Sequence, residues 1–111
     1  MAPTVWYYVR DFDASRRFYR ETLGFAEEAV DFDERWSHLR HGEMEIGLAE
    51  GDPQPDGAVA HVDVEDVKSE ADRLRGEGVD VGVVVEIPQG VMRLLDVYDP
   101  DGNRIQLAQE L

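Results

Sequence analysis

The sequence predicts an α+β fold: two tandem β-α-β-β-β modules whose curved mixed sheets surround a cleft, with the helices packed outside. Three observations predict it. Val9-Arg10-Asp11-Phe12 opens a helical run that ends at Leu23-Gly24-Phe25, and Val64-Glu65-Asp66-Val67 opens another that ends at Gly78-Val79. Each run is flanked by stretches of β-branched, aromatic or alternating residues. The one turn-rich connector, Gly51 to Gly57, falls at the midpoint. One domain over residues 1–111 is expected, with module one at 1–50, a linker at 51–57 and module two at 58–111.

In chain order, Thr4 to Val9 reads as a strand because it is β-branched and aromatic. Asp11 or Asp13 caps the first helix by accepting backbone N–H bonds. Ser15, Phe18, Tyr19, Thr22 and Leu23 give that helix its inner stripe, and Gly24 stops it. Phe25 to Val30 and Arg35 to Leu39 are strands around a turn. Glu43 to Leu48 alternates, with Met44, Ile46 and Leu48 on one face. In module two, Ala58 to Val64 is a strand and Asp66 caps a helix carrying Val67, Ala71 and Leu74 on one side. Val79 to Ile87 is a strand with a bulge expected at Gly82. Pro88-Gln89-Gly90 turns the chain, Val91 to Tyr98 and Ile105 to Ala108 are strands, and Asp99 to Asn103 is a turn bonded within itself. Eight strands and two helices result.

Composition narrows the function. The net charge is −14, from 25 acidic against 11 basic residues, and Lys68 is the sole lysine. Phosphate binding needs a basic patch, so nucleic acid and anionic membrane surfaces are disfavoured as partners. Most carboxylates form a solvated surface suited to a salty solution, and the field favours cationic ligands. No apolar run approaches the roughly 20 residues that cross a bilayer, and no secretory leader is read. There is no cysteine, hence no disulfide and no thiolate chemistry. A cytoplasmic location is the expectation.

Val9-Arg10-Asp11, Phe18-Tyr19, Leu23-Gly24-Phe25, Val64-Glu65-Asp66-Val67 and Tyr98-Asp99-Pro100-Asp101-Gly102-Asn103-Arg104-Ile105-Gln106-Leu107 together resemble the vicinal oxygen chelate superfamily. That superfamily includes glyoxalase I, bleomycin-resistance proteins, fosfomycin-resistance enzymes and extradiol dioxygenases. The resemblance implies paired modules, usually a homodimer, and in the enzymes a divalent metal held by the first and last strands of each module. It places the first-strand ligand positions at Thr4 and Val59, neither of which suits a metal. His61 lies two residues beyond Val59, on the same side of its strand. Glu45 and Gln106 are the last-strand candidates. No metal or other cofactor is therefore favoured; if one binds, Glu45, His61 and Gln106 are its ligands.

The resemblance also sets the strand phase, with Thr4, Trp6 and Tyr8 facing the cleft and Val5, Tyr7 and Val9 facing the helices. The expected ligand-binding residues are Trp6, Tyr8, His61, Asp63, Asp96 and Gln106. Trp6 serves equally as barrel or interface filler. His61 reads first as a histidine held by Asp63 or a carbonyl, and Asp96 as an acid that needs a partner or water. Trp36 and His38 share a strand face and read as surface or interface residues. No third ligand near His38 and His41 supports a metal there. The leading expectation is a small-molecule-binding protein similar to the bleomycin-resistance type, sequestering a cationic or aromatic ligand in an aromatic, acidic cleft without metal. One alternative is a metal-dependent glyoxalase-like lyase or isomerase, or a dioxygenase, acting on vicinal oxygens. Another is a scaffold or regulatory subunit whose cleft is plugged by its own side chains. Catalytic residues stay unassigned, and enzyme status stays open.

Overall fold

The structure, a computed structural model, describes residues 4–54, 57–87 and 91–111. The turn expected at Pro88-Gln89-Gly90 and part of the midpoint linker lie outside the described residues. The first module runs β1 (Thr4–Val9), α1 (Phe12–Arg17), a π-helical turn (Phe18–Thr22), β2 (Ala26–Asp31), β3 (Trp36–His41) and β4 (Met44–Glu50). The second runs β5 (Ala60–Asp63), α2 (Val67–Gly76), β6 (Asp80–Val81), β7 (Val85–Ile87), β8 (Met92–Tyr98) and β9 (Arg104–Glu110).

The two sheets repeat one topology. In the first the order is β1-β4-β3-β2, and in the second β5-β9-β8-β6, with β7 also paired to β8. The first and last strands of each module are parallel neighbours, and the other pairs are antiparallel. The fold is α+β with paired β-α-β-β-β units, as the sequence predicts.

Local chemistry explains the elements. Asp11 caps α1, its Oδ1 accepting from the Ala14 N–H at 3.0 Å. Asp66 caps α2 in the same way, accepting from the Ser69 N–H at 3.1 Å. Gly24 (φ 81°) and Gly78 (φ 79°) occupy matching places after the two helical runs, in a backbone region that side chains disfavour.

Two elements differ from expectation. The first helical run widens, the Leu23 N–H bonding the Phe18 carbonyl at 3.1 Å across five residues. The wider turn accommodates Tyr19, which is fully buried and anchored at a distance. The strand expected at Val79 to Ile87 is broken into β6 and β7. Val81 pairs with Val97 and Val85 with Leu94, so this side carries one residue more than its partner. Gly82 sits at that irregularity, its N–H bonded to the Asp96 carbonyl at 2.9 Å.

A single apolar cluster draws on both modules, with Tyr7, Val9, Phe12, Tyr19, Ile46 and Leu48 from one and Val62, Leu74, Leu95 and Ile105 from the other. α1 packs on β4, and α2 packs on β6, β8 and β9. Arg16 fastens α1 to its sheet. Its guanidinium donates to both Glu27 carboxylate oxygens at 2.6 and 2.8 Å, and the Ser37 hydroxyl donates to Glu27 at 2.5 Å. The Arg16 bonds hold the Glu27 carboxyl below its ordinary value.

Polar groups join the modules. The Tyr7 hydroxyl donates to the Arg104 carbonyl and accepts from the Ala60 N–H, both at 2.7 Å. Burial pushes this phenol up to about 12, so it stays neutral. The Tyr19 hydroxyl donates to Asp99 at 2.9 Å, and the Asn103 side-chain amide donates to the Tyr8 carbonyl at 3.0 Å. The turn Asp99 to Asn103 thus bonds within itself and also clamps module one.

Candidate functional site

Strand alternation gives each sheet a face turned to its helix and a face turned away. In β1, Tyr7 and Val9 are buried while Trp6 and Tyr8 are half-exposed. The register places Trp6 beside Gly47, and Gly47 beside His38. The indole lies flat across Gly47, where any Cβ would run into its ring. It reaches the His38 imidazole and stacks on it, centroids 5.9 Å apart and planes 27° apart. Tyr8 lies over Gly51 in a similar way, its ring 2.8 Å from where a Cβ would stand. Trp6, Ala29, Glu34, Trp36, His38 and Ala49 line an open hollow of about 600 Å³. Its base is small and apolar, its walls are aromatic, and Glu34 adds a negative charge.

One register row away on the same face, Arg40 pairs with Glu45 across β3 and β4. A shift in the β2–β3 register between Glu27 and Ala29 leaves Glu28 as the extra residue. Glu28 accepts from Arg40 Nε at 3.2 Å, and Arg40 Nη2 donates to Glu45. Glu28, His38 and Glu45 each offer a ligand atom, all within 4.8 Å of one another.

The second sheet carries a polar chain on its corresponding face. His61 Nδ1 lies 3.2 Å from Gln106 Oε1, and Gln106 Nε2 donates to Asp96 at 3.5 Å. Arg104 pairs with Asp96 at 3.4 Å, and His61 Nε2 lies 3.8 Å from Asp63. His61 and Asp63 line a hollow of about 490 Å³ with Val5, His41, Gly42, Glu43, Met44 and Val59.

The expected residues therefore fall into two groups. His61, Asp63, Asp96 and Gln106 are connected, while Trp6 and Tyr8 stand on the other sheet. A single cleft lined by all six is expected from sequence, but Trp6 and His61 line different hollows. The modules are joined through Tyr7, Tyr19 and Asn103, and the hollow beside His61 is lined by residues of both modules.

The register also shows how the residues of the expected metal set lie relative to one another. Val9 and Val64 are matching positions, so Trp6 corresponds to His61 three residues back. Trp6 pairs with Gly47 and His61 with Gln106, making Gly47 the counterpart of Gln106. Glu45, two residues earlier, is the counterpart of Arg104. Glu45 belongs with Glu28, His38 and Arg40, whereas His61 and Gln106 bond each other. Thr4, Val59 and Gln106 occupy places at which the resemblance puts metal ligands, and Gly47 is the register counterpart of Gln106. They supply no carboxylate and no imidazole, and the Gln106 amide oxygen is the strongest metal-binding group among them.

The sequence reads His38 as a surface or interface residue and does not single out Glu28. Alternation in β3 hints at His38, since Trp36, His38 and Arg40 share one face. Nothing in the sequence marks the irregularity that frees Glu28.

These faces and this topology define a class: paired-module α+β proteins that bind or modify small molecules. The chain belongs to the Glyoxalase/Bleomycin resistance protein/Dioxygenase superfamily, whose model matches residues 2–107. Among solved structures, it resembles the integron cassette protein HFX_CASS4 from the mobile metagenome of Halifax Harbour sewage outfall. The TM-score is 0.84 at 23% identity, covering 98% of this chain and 97% of that one. It also resembles a glyoxalase/bleomycin resistance protein from Streptomyces sp. CB03234, with TM-score 0.74, 26% identity and coverage of 97% and 100%. A third is the fosfomycin resistance protein FosX from Listeria monocytogenes, in complex with Mn(II) and sulfate. There the TM-score is 0.80 at 16% identity, covering 100% of this chain and 90% of that one. No curated protein sequence matches the chain.

Proposed function

We propose that the protein binds a small, planar, positively charged molecule on the open face of its first sheet and acts by sequestration. One observation carries this reading: a half-exposed indole laid across Gly47 and stacked on His38, beside Trp36 and a hollow of about 600 Å³. An aromatic surface of this kind attracts flat rings and cations, and Glu34 together with the net charge of −14 selects for positive charge. Tyr8 extends the aromatic surface. In this reading a second copy of the chain brings the His61, Asp63, Asp96 and Gln106 chain to the rim as the polar wall, and the working form is a homodimer. The lack of a carboxylate or imidazole at Thr4, Gly47, Val59 and Gln106 favours binding without a metal at those positions.

Calorimetric titration with a panel of cationic aromatic compounds, bleomycin included, tests the proposal. Micromolar binding is expected, weakened at least tenfold, about 1.4 kcal/mol, by Trp6→Ala. Absence of binding across the panel, or binding indifferent to Trp6, would sink it.

A further inference from the structure

We infer that Glu28, His38 and Glu45 form a divalent-cation site on β2, β3 and β4, apart from the His61 and Gln106 pair of the second sheet. The inference goes beyond the sequestration reading and stands or falls separately.

Geometry comes first. The three ligand atoms lie within 4.8 Å of one another. Ligands bonded at about 2.0–2.2 Å stand up to about 4.4 Å apart across an ion. Only a pair directly across the ion reaches that separation, and three evenly spaced ligands stand about 3.8 Å apart, so side-chain rotation that draws the atoms together by roughly 1 Å brings all three onto one cation. The backbone contributes as well. Glu27 faces the helix side and is taken up by Arg16 and Ser37. Strict alternation along β2 would turn its neighbours Ala26 and Glu28 to the open face and Ala29 back to the helix side. Instead Ala29 pairs with His38, so Glu28 is an insertion that adds a carboxylate without displacing the row. Such insertions re-aim side chains next to functional sites.

The donor chemistry suits a cation. Two carboxylate oxygens and one imidazole nitrogen make a mixed set with positions left open for water or a ligand, as Zn²⁺, Mn²⁺ or Fe²⁺ accept. Trp6 stacks on the His38 ring and limits its rotation. Arg40 bonds Oε2 of Glu28 and Oε1 of Glu45 and keeps both carboxylates on one side of the sheet. His38 also lines the aromatic hollow, so a bound cation would stand at the edge of the ligand space.

The test uses the full chain freed of metal by chelation, titrated with MnCl₂ and with ZnCl₂ by calorimetry. Mn²⁺ is followed in parallel by electron paramagnetic resonance and by quenching of tryptophan emission, since Trp6 touches His38. One cation per chain is expected. Affinity should fall at least tenfold in His38→Ala and in the exposed-site variant Glu28→Gln, whose folding is checked by circular dichroism. It should be unchanged in His61→Ala and Gln106→Ala. Absence of binding to the unmodified chain would overturn the inference and show the group to be an ion-pair network around Arg40. Loss of binding in His61→Ala with retention in His38→Ala would also overturn it. The organic-cation titration of the preceding section reads out independently of both results.

Discussion

Gly47 decides where Trp6 lies. Without a Cβ, the strand leaves a flat patch on which the indole rests and reaches His38. Gly47→Ala forces the ring off its place. Trp6 is half-exposed and free to swing outward, so the stability loss should be small, up to about 1 kcal/mol. The larger expected effects are a shift in tryptophan emission and weaker binding of cationic aromatic ligands. Thermal melts and fluorescence spectra of the variant check this, and unchanged emission would contradict the stacked placement. Of this arrangement the sequence shows the alternation of β1, which puts Trp6 and Tyr8 together. It does not show Gly47 beneath the indole, because that pairing joins residues 41 positions apart through a parallel register.

Among elements, the seam between α1 and its sheet rests on one acid. Glu27 accepts two bonds from Arg16 on α1 and one from Ser37 on β3, all largely out of solvent. Its carboxyl titrates below the ordinary value in the fold, chiefly through the Arg16 bonds. The sign follows. A lowered folded pKa means stability that is fully present above the unfolded value, 4.5 here, and lost as pH falls through the folded one. Glu27→Gln should cost roughly 1.5–3 kcal/mol at pH 7, the range for hydrogen bonds to charged groups. The difference from the unmodified chain should shrink steadily below about pH 4.5. Urea unfolding at several pH values measures it, and an equal loss at pH 7 and at pH 3 would contradict the linkage. The helix caps at Asp11 and Asp66 and the stops at Gly24 and Gly78 are legible in sequence because they depend on neighbours within four residues. The π-helical turn and the break between β6 and β7 are not. Each is set by a partner far along the chain, Asp99 for Tyr19 and the Asp96 carbonyl for Gly82.

For the whole molecule, charge is the dominant long-range force. With a net charge of −14 on 111 residues, self-repulsion opposes both the compact state and self-association. Salt shortens that repulsion, from a Debye length of about 30 Å at 0.01 M to about 3 Å at 1 M. The melting temperature should therefore rise by several degrees over that range, although surface ion pairs such as Arg73 with Glu70 and Glu77 are screened as well. Light scattering over the same range should show dimer growing at the expense of monomer. A melting point that falls with salt would mean that attractive pairs outweigh net repulsion, and a monomer at all salt concentrations would remove the dimer from the proposed function.

The sequence by itself determined the duplicated β-α-β-β-β order, the helix caps and stops, the alternation of β1 and the acidic field. All are local in chain distance or summed over composition. Tertiary structure alone decided which residues share a face across strands. It set His38 beside Trp6, Glu28 beside Glu45, and Gly47 rather than Glu45 in the place matching Gln106. Strand register and bulges fix those neighbours, and both depend on hydrogen bonds and packing between segments that no local pattern relates.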